Sequence, residues 1–123
     1  LAMVEQVAAP VIRMDTVSEA DGRPVSRATS WFDADRFGGF AETYRELGSV
    51  TLAFQRYGVA DYFRSSTLVS ARHADDGDLD DLRLSPGAIV LVAIAVNVDT
   101  EGRPIQFAET RFAADRVELS VMA

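Results

Sequence analysis

The stretch DGRPVSRATSWFDADRF, residues 21–37, returns as EGRPIQFAETRFAADRV, residues 101–117. The offset is eighty residues with no gap. Each copy opens on an acidic residue and a glycine, Asp21-Gly22 and Glu101-Gly102, where a left-handed backbone is cheap. Pro24 and Pro104 follow; proline lacks an N–H and suits a strand start or edge. Before each turn lies an apolar, β-branched run, PVIRMDTV at 10–17 and AIVLVAIAVNV at 88–98. The same offset pairs Ile12 with Val92, Met14 with Ile94 and Thr16 with Val96. Each copy therefore reads as a strand, a glycine turn and a returning strand that ends near Phe32 or Phe112. A lone hairpin is marginal in water. Two related hairpins in one antiparallel sheet, residues 10–32 and 90–112, can cover a shared core, so the fold class is α+β.

Between the copies, Phe37, Phe40, Ala41, Tyr44 and Leu47 recur at helical spacing. Gly38-Gly39 delays the regular helix to about Phe40; Gly48 ends it and Ser49 caps the next. Val50, Ala53, Phe54 and Tyr57 form a second stripe that Gly58 stops. Residues 59–73, VADYFRSSTLVSARH, read as a long strand. Aspartates ahead of Leu79 and Leu82 mark a helix start over 76–84. Ser85-Pro86-Gly87 turns the chain back into the sheet, and VELSV, 117–121, reads as a last short strand.

The chain has 123 residues, which suits one domain. Its net charge of −7 makes it a poor ligand for phosphate backbones by itself. It has no cysteine, which removes disulfide frameworks, thiolate metal sites and cysteine nucleophiles and fits a reducing, cytoplasmic setting. No apolar run is long enough to span a bilayer, so no membrane partner is expected. His73 is the single histidine and reads as a surface residue. Asp75-Asp76-Gly77-Asp78 lacks the later glutamate of a calcium loop, so neither metal nor cofactor is expected. The first residue is Leu1 and not Met, so a further segment upstream is expected.

Twofold alternation places Val25, Arg27, Thr29 and Trp31 on one face of the first returning strand. Ile105, Phe107, Glu109 and Arg111 share the matching face of the second. Two readings stand for these charges: an Arg–Glu pair at the sheet rim, or a cleft for a small charged ligand. On the middle strand, Arg64 lies among Ser65, Ser66 and Thr67; a guanidinium with hydroxyls beside it supplies forked donors to a phosphate or carboxylate. Arg64 and Ser66 share one face there, Ser65 and Thr67 the other, and a solvated edge strand explains them equally well.

The ordered set FQRYGVADYFRSSTLVSAR, Leu84-Ser85-Pro86-Gly87 and VNVDTEGRPIQFAETRFAADRVELSV resembles the UTRA effector-binding domain of GntR-type transcription regulators, HutC branch, and within it the PhnF-like regulators of phosphonate metabolism. The resemblance spans essentially all of residues 1–123. It implies a chorismate lyase-like antiparallel sheet with helices, a homodimer, and a small anionic effector. It implies DNA binding only through a winged-helix domain ahead of this chain. Arginines often found six and four residues before the first turn glycine in sugar-phosphate-binding members are replaced here by Thr16 and Ser18. The expected effector is therefore a phosphonate, a phosphate ester or another small anion. The expected contacts are Arg27, Arg64, Ser65, Thr67, Glu109 and Arg111, with no catalytic residue. The alternatives are a chorismate lyase-like enzyme acting on a small carboxylate, with Glu109 as its acid or base, and a purely structural dimerisation module.

Overall fold

A computed structural model describes residues 10–120. The two hairpins are present: β1 (Val11–Ala20) with β2 (Arg23–Asp33), and β4 (Ile89–Asp99) with β5 (Pro104–Ala113). With β3 (Tyr62–His73) they form one five-stranded antiparallel sheet in the order β1-β2-β5-β4-β3. The two returning strands are thus neighbours at its centre, and β1 and β3 are its edges. The helices are α1 (Ala34–Phe37), α2 (Phe40–Leu47), α3 (Val50–Arg56) and α4 (Asp76–Leu82).

The turns of the two copies differ. Asp21 and Gly22, with φ of 52° and 76°, close the first hairpin in two residues, the mirror-image turn that follows strand twist. The second hairpin needs residues 100–103. Asp99 Oδ1 accepts the N–H groups of Glu101 and Arg103, each at 2.9 Å, and holds that wider turn. The equivalent position in the first copy is Glu19, whose longer side chain instead reaches Arg83.

Gly39 at φ 81° and Gly48 at φ 71° bracket α2, and the Ser49 hydroxyl accepts the Leu52 N–H at 3.2 Å to start α3, as the sequence predicts. One element is added and two expectations are corrected. A four-residue helix, α1, follows β2 directly, because Asp33 accepts the Asp35 N–H at 3.0 Å and caps it. β3 begins at Tyr62 and not at residue 59; Val59 is buried in the core instead. Residues 117–120 form no strand, and Val121 lies outside the described residues. The chain leaves the sheet after β5, where the Arg116 guanidinium donates to the carbonyls of Pro24, Leu82 and Arg83 at 2.8, 2.6 and 3.1 Å.

The chain divides into two compact units, and the division falls within each of the five strands. Unit 1 holds residues 10–14, 30–67 and 95–108 of the described chain. Its core is aromatic: Phe32, Phe37, Phe40 and Phe54 are fully buried, with Met14, Ala53, Val59 and Ile105 around them. The Phe32 and Phe40 rings lie 4.2 Å apart between centroids, and Phe37 meets Phe54 edge-on at 5.4 Å. Unit 2 holds residues 15–29, 68–94 and 109–120, with a smaller core of Leu82, Val90 and Val92.

The repeat has one further physical meaning. Arg36 and Arg116 are equivalent positions eighty residues apart. In unit 1, Arg36 Nη1 donates to Asp99 Oδ2 at 2.9 Å, at the second hairpin's turn. In unit 2, Arg116 donates to the Pro24 carbonyl at the first hairpin's turn. The repeated Asp-Arg pair that follows each returning strand thus tethers the turn of the other hairpin.

Candidate functional site

In unit 2, three arginines converge on one carboxylate. Asp78, in the first turn of α4, is fully buried. Its Oδ2 accepts Arg72 Nη1 at 2.6 Å and the Asp75 N–H at 2.9 Å. Asp75 returns the favour, accepting the Asp78 N–H at 2.9 Å in a reciprocal cap. The other oxygen, Oδ1, lies 3.5 Å from Arg27 Nε and 4.0 Å from Arg111 Nε. Oδ1 and both Nε atoms are buried and have no hydrogen-bond partner among the described residues. A well-formed guanidinium–carboxylate pair is bidentate at about 2.7–2.9 Å. Only Arg72 approaches that.

The strands set this arrangement. Alternation puts Arg27 and Thr29 on one face of β2 and Glu109 and Arg111 on one face of β5, as the sequence predicts. Arg111 is 3% exposed and donates to Thr29 Oγ1 at 3.2 Å, and to the Glu109 carboxylate at 3.2 Å. Thr29 in turn donates to Asp15 Oδ1 at 2.6 Å. Arg27 also pairs with Asp81 at 3.2 Å. Gly77 matters locally, because a Cβ there would collide with the Arg27 guanidinium. Burial and the neighbouring Arg27 charge both push the Arg111 pKa down from its ordinary value, against the pull of Glu109 and Asp78. For Arg72, burial opposes ionisation, but the hydrogen bond and charge of Asp78 outweigh it and raise the pKa.

In unit 1, Arg64 anchors a polar chain that crosses four neighbouring strands. Its Nε donates to Asn97 Oδ1 at 2.9 Å; Asn97 donates to Gln106 at 2.9 Å; Gln106 donates to Ser30 at 3.1 Å. Asn97, Gln106 and Ser30 are buried, so each link satisfies a polar group that would otherwise be costly to bury. Arg64 Nη1 also donates to Thr67 Oγ1 at 2.9 Å, while Ser65 is exposed beside them on β3.

Unit 1 also contains a cavity of about 300 Å³ lined by Arg36, Val59, Asp61, Asp99, Glu101 and Arg103, among others. None of the residues expected from sequence lines it. Asp99 is its organising group. Burial opposes its ionisation, but the N–H groups of Arg103 and Glu101 and the Arg36 and Arg103 guanidiniums lower its pKa to about 2.

The structure thus brings together Arg27, Glu109 and Arg111 within unit 2, and Arg64 with Thr67 within unit 1. Glu109 pairs with Arg111, and Arg27 turns to Asp78 and Asp81. Sequence reasoning missed Arg72, Asp78, Asn97 and Gln106. The aspartate run at 75–81 read only as helix-start charge, and its cap does form, but nothing local signals that one member is fully buried. His73 is exposed, and among the described residues no group of acidic residues and histidine could hold a metal ion.

Known proteins agree with this architecture. The sequence matches the UTRA domain family over residues 4–118. It is 54% identical over 112 residues to an uncharacterized HTH-type transcriptional regulator of Rhizobium meliloti (strain 1021), covering 91% of this chain and 46% of that protein. The chain thus spans about half the length of that relative. Among solved structures, PhnF from Mycobacterium smegmatis superposes with a TM-score of 0.85 at 22% identity, over 95% of this chain and 52% of that one. The C-terminal domain of Yurk from Bacillus subtilis subsp. subtilis str. 168 superposes with a TM-score of 0.82 at 16% identity, over 93% of this chain and 78% of that one. The Rhizobium meliloti relative carries the name of a transcriptional regulator and not of an enzyme, which speaks against the lyase-like alternative. The chain belongs to the UTRA domain family.

Proposed function

We propose that this domain senses a small anionic metabolite, a phosphonate, phosphate ester or similar, and that its occupancy modulates operator binding by a complete regulator in the cytoplasm. The observation that carries the reading is the convergence of Arg27, Arg72 and Arg111 on a single buried carboxylate. Guanidiniums gathered in a desolvated place are costly unless an anion meets them. Glu109, at 28% side-chain exposure, faces the same cluster and suits an amine or hydroxyl on the ligand. Arg64, with Ser65 and Thr67 beside it, is the second proposed anion contact, held in place by Asn97. The winged-helix segment that would read DNA belongs ahead of this chain.

A homodimer is part of the proposal. β3 is an edge strand of 12 residues, and its Phe63, Leu68 and Val69 are exposed. Bare edges with apolar side chains invite pairing with another chain.

Titration calorimetry with a panel of phosphonates, phosphate esters and sugar phosphates tests the sensing role. One member should bind, and Arg64→Glu (R64E) should weaken whatever binding unit 1 contributes without unfolding the domain. Binding of that anion by R64E as tightly as by the starting protein would remove Arg64 from the site. Absence of binding across the panel would reject anion sensing.

A further inference from the structure

We propose that Asp78 is an internal occupant of the anion site, and that an effector enters by displacing it, releasing α4 from the arginine cluster. This rests on the anion-sensing reading and adds how the site is kept closed and what kind of anion opens it. Asp78 sits where a ligand's anionic group would be stabilised, under Arg27, Arg72 and Arg111, and fully removed from solvent.

Asp78 fits that place poorly. Only Oδ2 is bonded, to Arg72 and to the Asp75 N–H. Oδ1 faces two Nε–H groups at 3.5 and 4.0 Å and bonds to neither. A planar carboxylate held by a helix cap cannot also turn toward both edges. A tetrahedral phosphoryl group has three terminal oxygens and is not tied to that cap, so it can accept from all three guanidiniums at once. Arg111 keeps its bonds to Thr29 and Glu109, and only its buried Nε is left without a partner.

The charges and the oxygens on offer indicate which anions can replace Asp78. Asp75, Asp78 and Asp81 all belong to α4 or its cap and pair with Arg72 and Arg27. When α4 leaves, these three carboxylates leave with it. Three guanidiniums then remain with Glu109, the partner of Arg111 on β5 itself, and with Asp15, which Arg111 reaches through Thr29, an excess of one positive charge. A phosphonate or phosphate monoester has three oxygens to offer the three guanidiniums, and a monocarboxylate has two. The C-terminal end of α4 is anchored separately: Leu82 lies in the small core of unit 2, and the Leu82 and Arg83 carbonyls accept the Arg116 guanidinium at 2.6 and 3.1 Å. A seven-residue helix fixed at that end and held at its N-terminal end through Asp78 can pivot between two positions, and a ligand acts as a switch only if it favours one of them.

Methylphosphonate, inorganic phosphate and acetate are titrated into the starting chain and into Asp78→Asn (D78N), which removes the competing charge at nearly constant shape. The expected result is at least tenfold tighter methylphosphonate binding by D78N, with phosphate following and acetate bound weakly by both. Backbone hydrogen exchange on the starting chain gives a second readout that needs no variant: α4 amides should exchange at least tenfold faster at saturating methylphosphonate. Equal or weaker binding by D78N, or α4 amides unchanged or slower when the starting chain is saturated, overturns the displacement while leaving anion sensing intact. If neither protein binds methylphosphonate or phosphate, both readings fall together.

Discussion

Replacing Asp99 by asparagine isolates the ionic part of the second hairpin turn. Oδ1 of Asp99 accepts two backbone N–H groups, and an asparagine oxygen can keep both. Oδ2 accepts Arg36 at 2.9 Å and Arg103 at 3.1 Å, and there the substitution puts an NH₂ group against two guanidiniums. The Asp99 pKa falls from 3.8 to about 2 in the folded chain. Converted fully, that shift corresponds to about 2.5 kcal/mol at neutral pH. The Arg36 and Arg103 side chains are 32% and 62% exposed, so solvent screens part of it. Discounted for that screening, the expected loss is on the order of 1–2 kcal/mol. The sign follows from the depressed folded pKa: the stabilisation is complete above the unfolded value and fades as pH falls through about 2. Urea unfolding of both proteins between neutral and strongly acid pH should give a constant difference down to roughly pH 4.5 that then shrinks. Other carboxylates titrate in both proteins and cancel in the comparison. A difference that stays constant into acid, or none at neutral pH, would refute the ionic account of this turn.

Other expectations follow from single contacts. Phe32→Ala should cost about 3–5 kcal/mol in urea unfolding, because Phe32 is fully buried among Phe37, Phe40 and Phe54; a loss under 1 kcal/mol would contradict the aromatic core. Gln106→Leu should cost about 1–3 kcal/mol, since it leaves buried Asn97 and Ser30 each short of a partner; stabilisation would show the polar chain to be dispensable. Gly77→Ala should tighten binding of the identified anion, because its Cβ crowds Arg27 only while α4 is docked and so weakens the closed state that the anion displaces; unchanged or weaker affinity in calorimetry would contradict that displacement. Light scattering at tens of micromolar should give twice the 13.4 kDa chain mass, and Leu68→Lys on β3 should lower it to one; a 13.4 kDa species without the substitution would remove the dimer from this domain.

The sheet was legible because its signals are local. Asp21-Gly22 and Glu101-Gly102 mark turns by themselves, and period-two alternation carries the strand faces. Gly48 followed by Ser49 likewise separates α2 from α3 without any tertiary information. The end at 117–120 misled because VELSV has strand composition, whereas Arg116 binds carbonyls distant in sequence and takes the chain out of the sheet. The grouping of charges at the candidate site was legible in part. Alternation put Arg27, Glu109 and Arg111 on matching faces, but their common partner is Asp78, 51 residues beyond Arg27 and inside a run that reads as surface charge. Arg64 was recognisable as a forked donor among hydroxyls. Its chain through Asn97, Gln106 and Ser30 depends on strand order, which places β5 beside β2 and β4 beside β3.

The central claim is that the arginine cluster of unit 2 receives a small anion. Calorimetric titration of the phosphonate and phosphate panel into the starting chain and into Arg27→Met (R27M) tests it most directly, with circular dichroism to confirm that R27M folds. Arg72 still holds Asp78 in that variant, so the fold should persist. One saturable site in the starting chain, weakened at least tenfold in folded R27M, is the predicted result; equal affinity in the two proteins, or no binding by either, would contradict it.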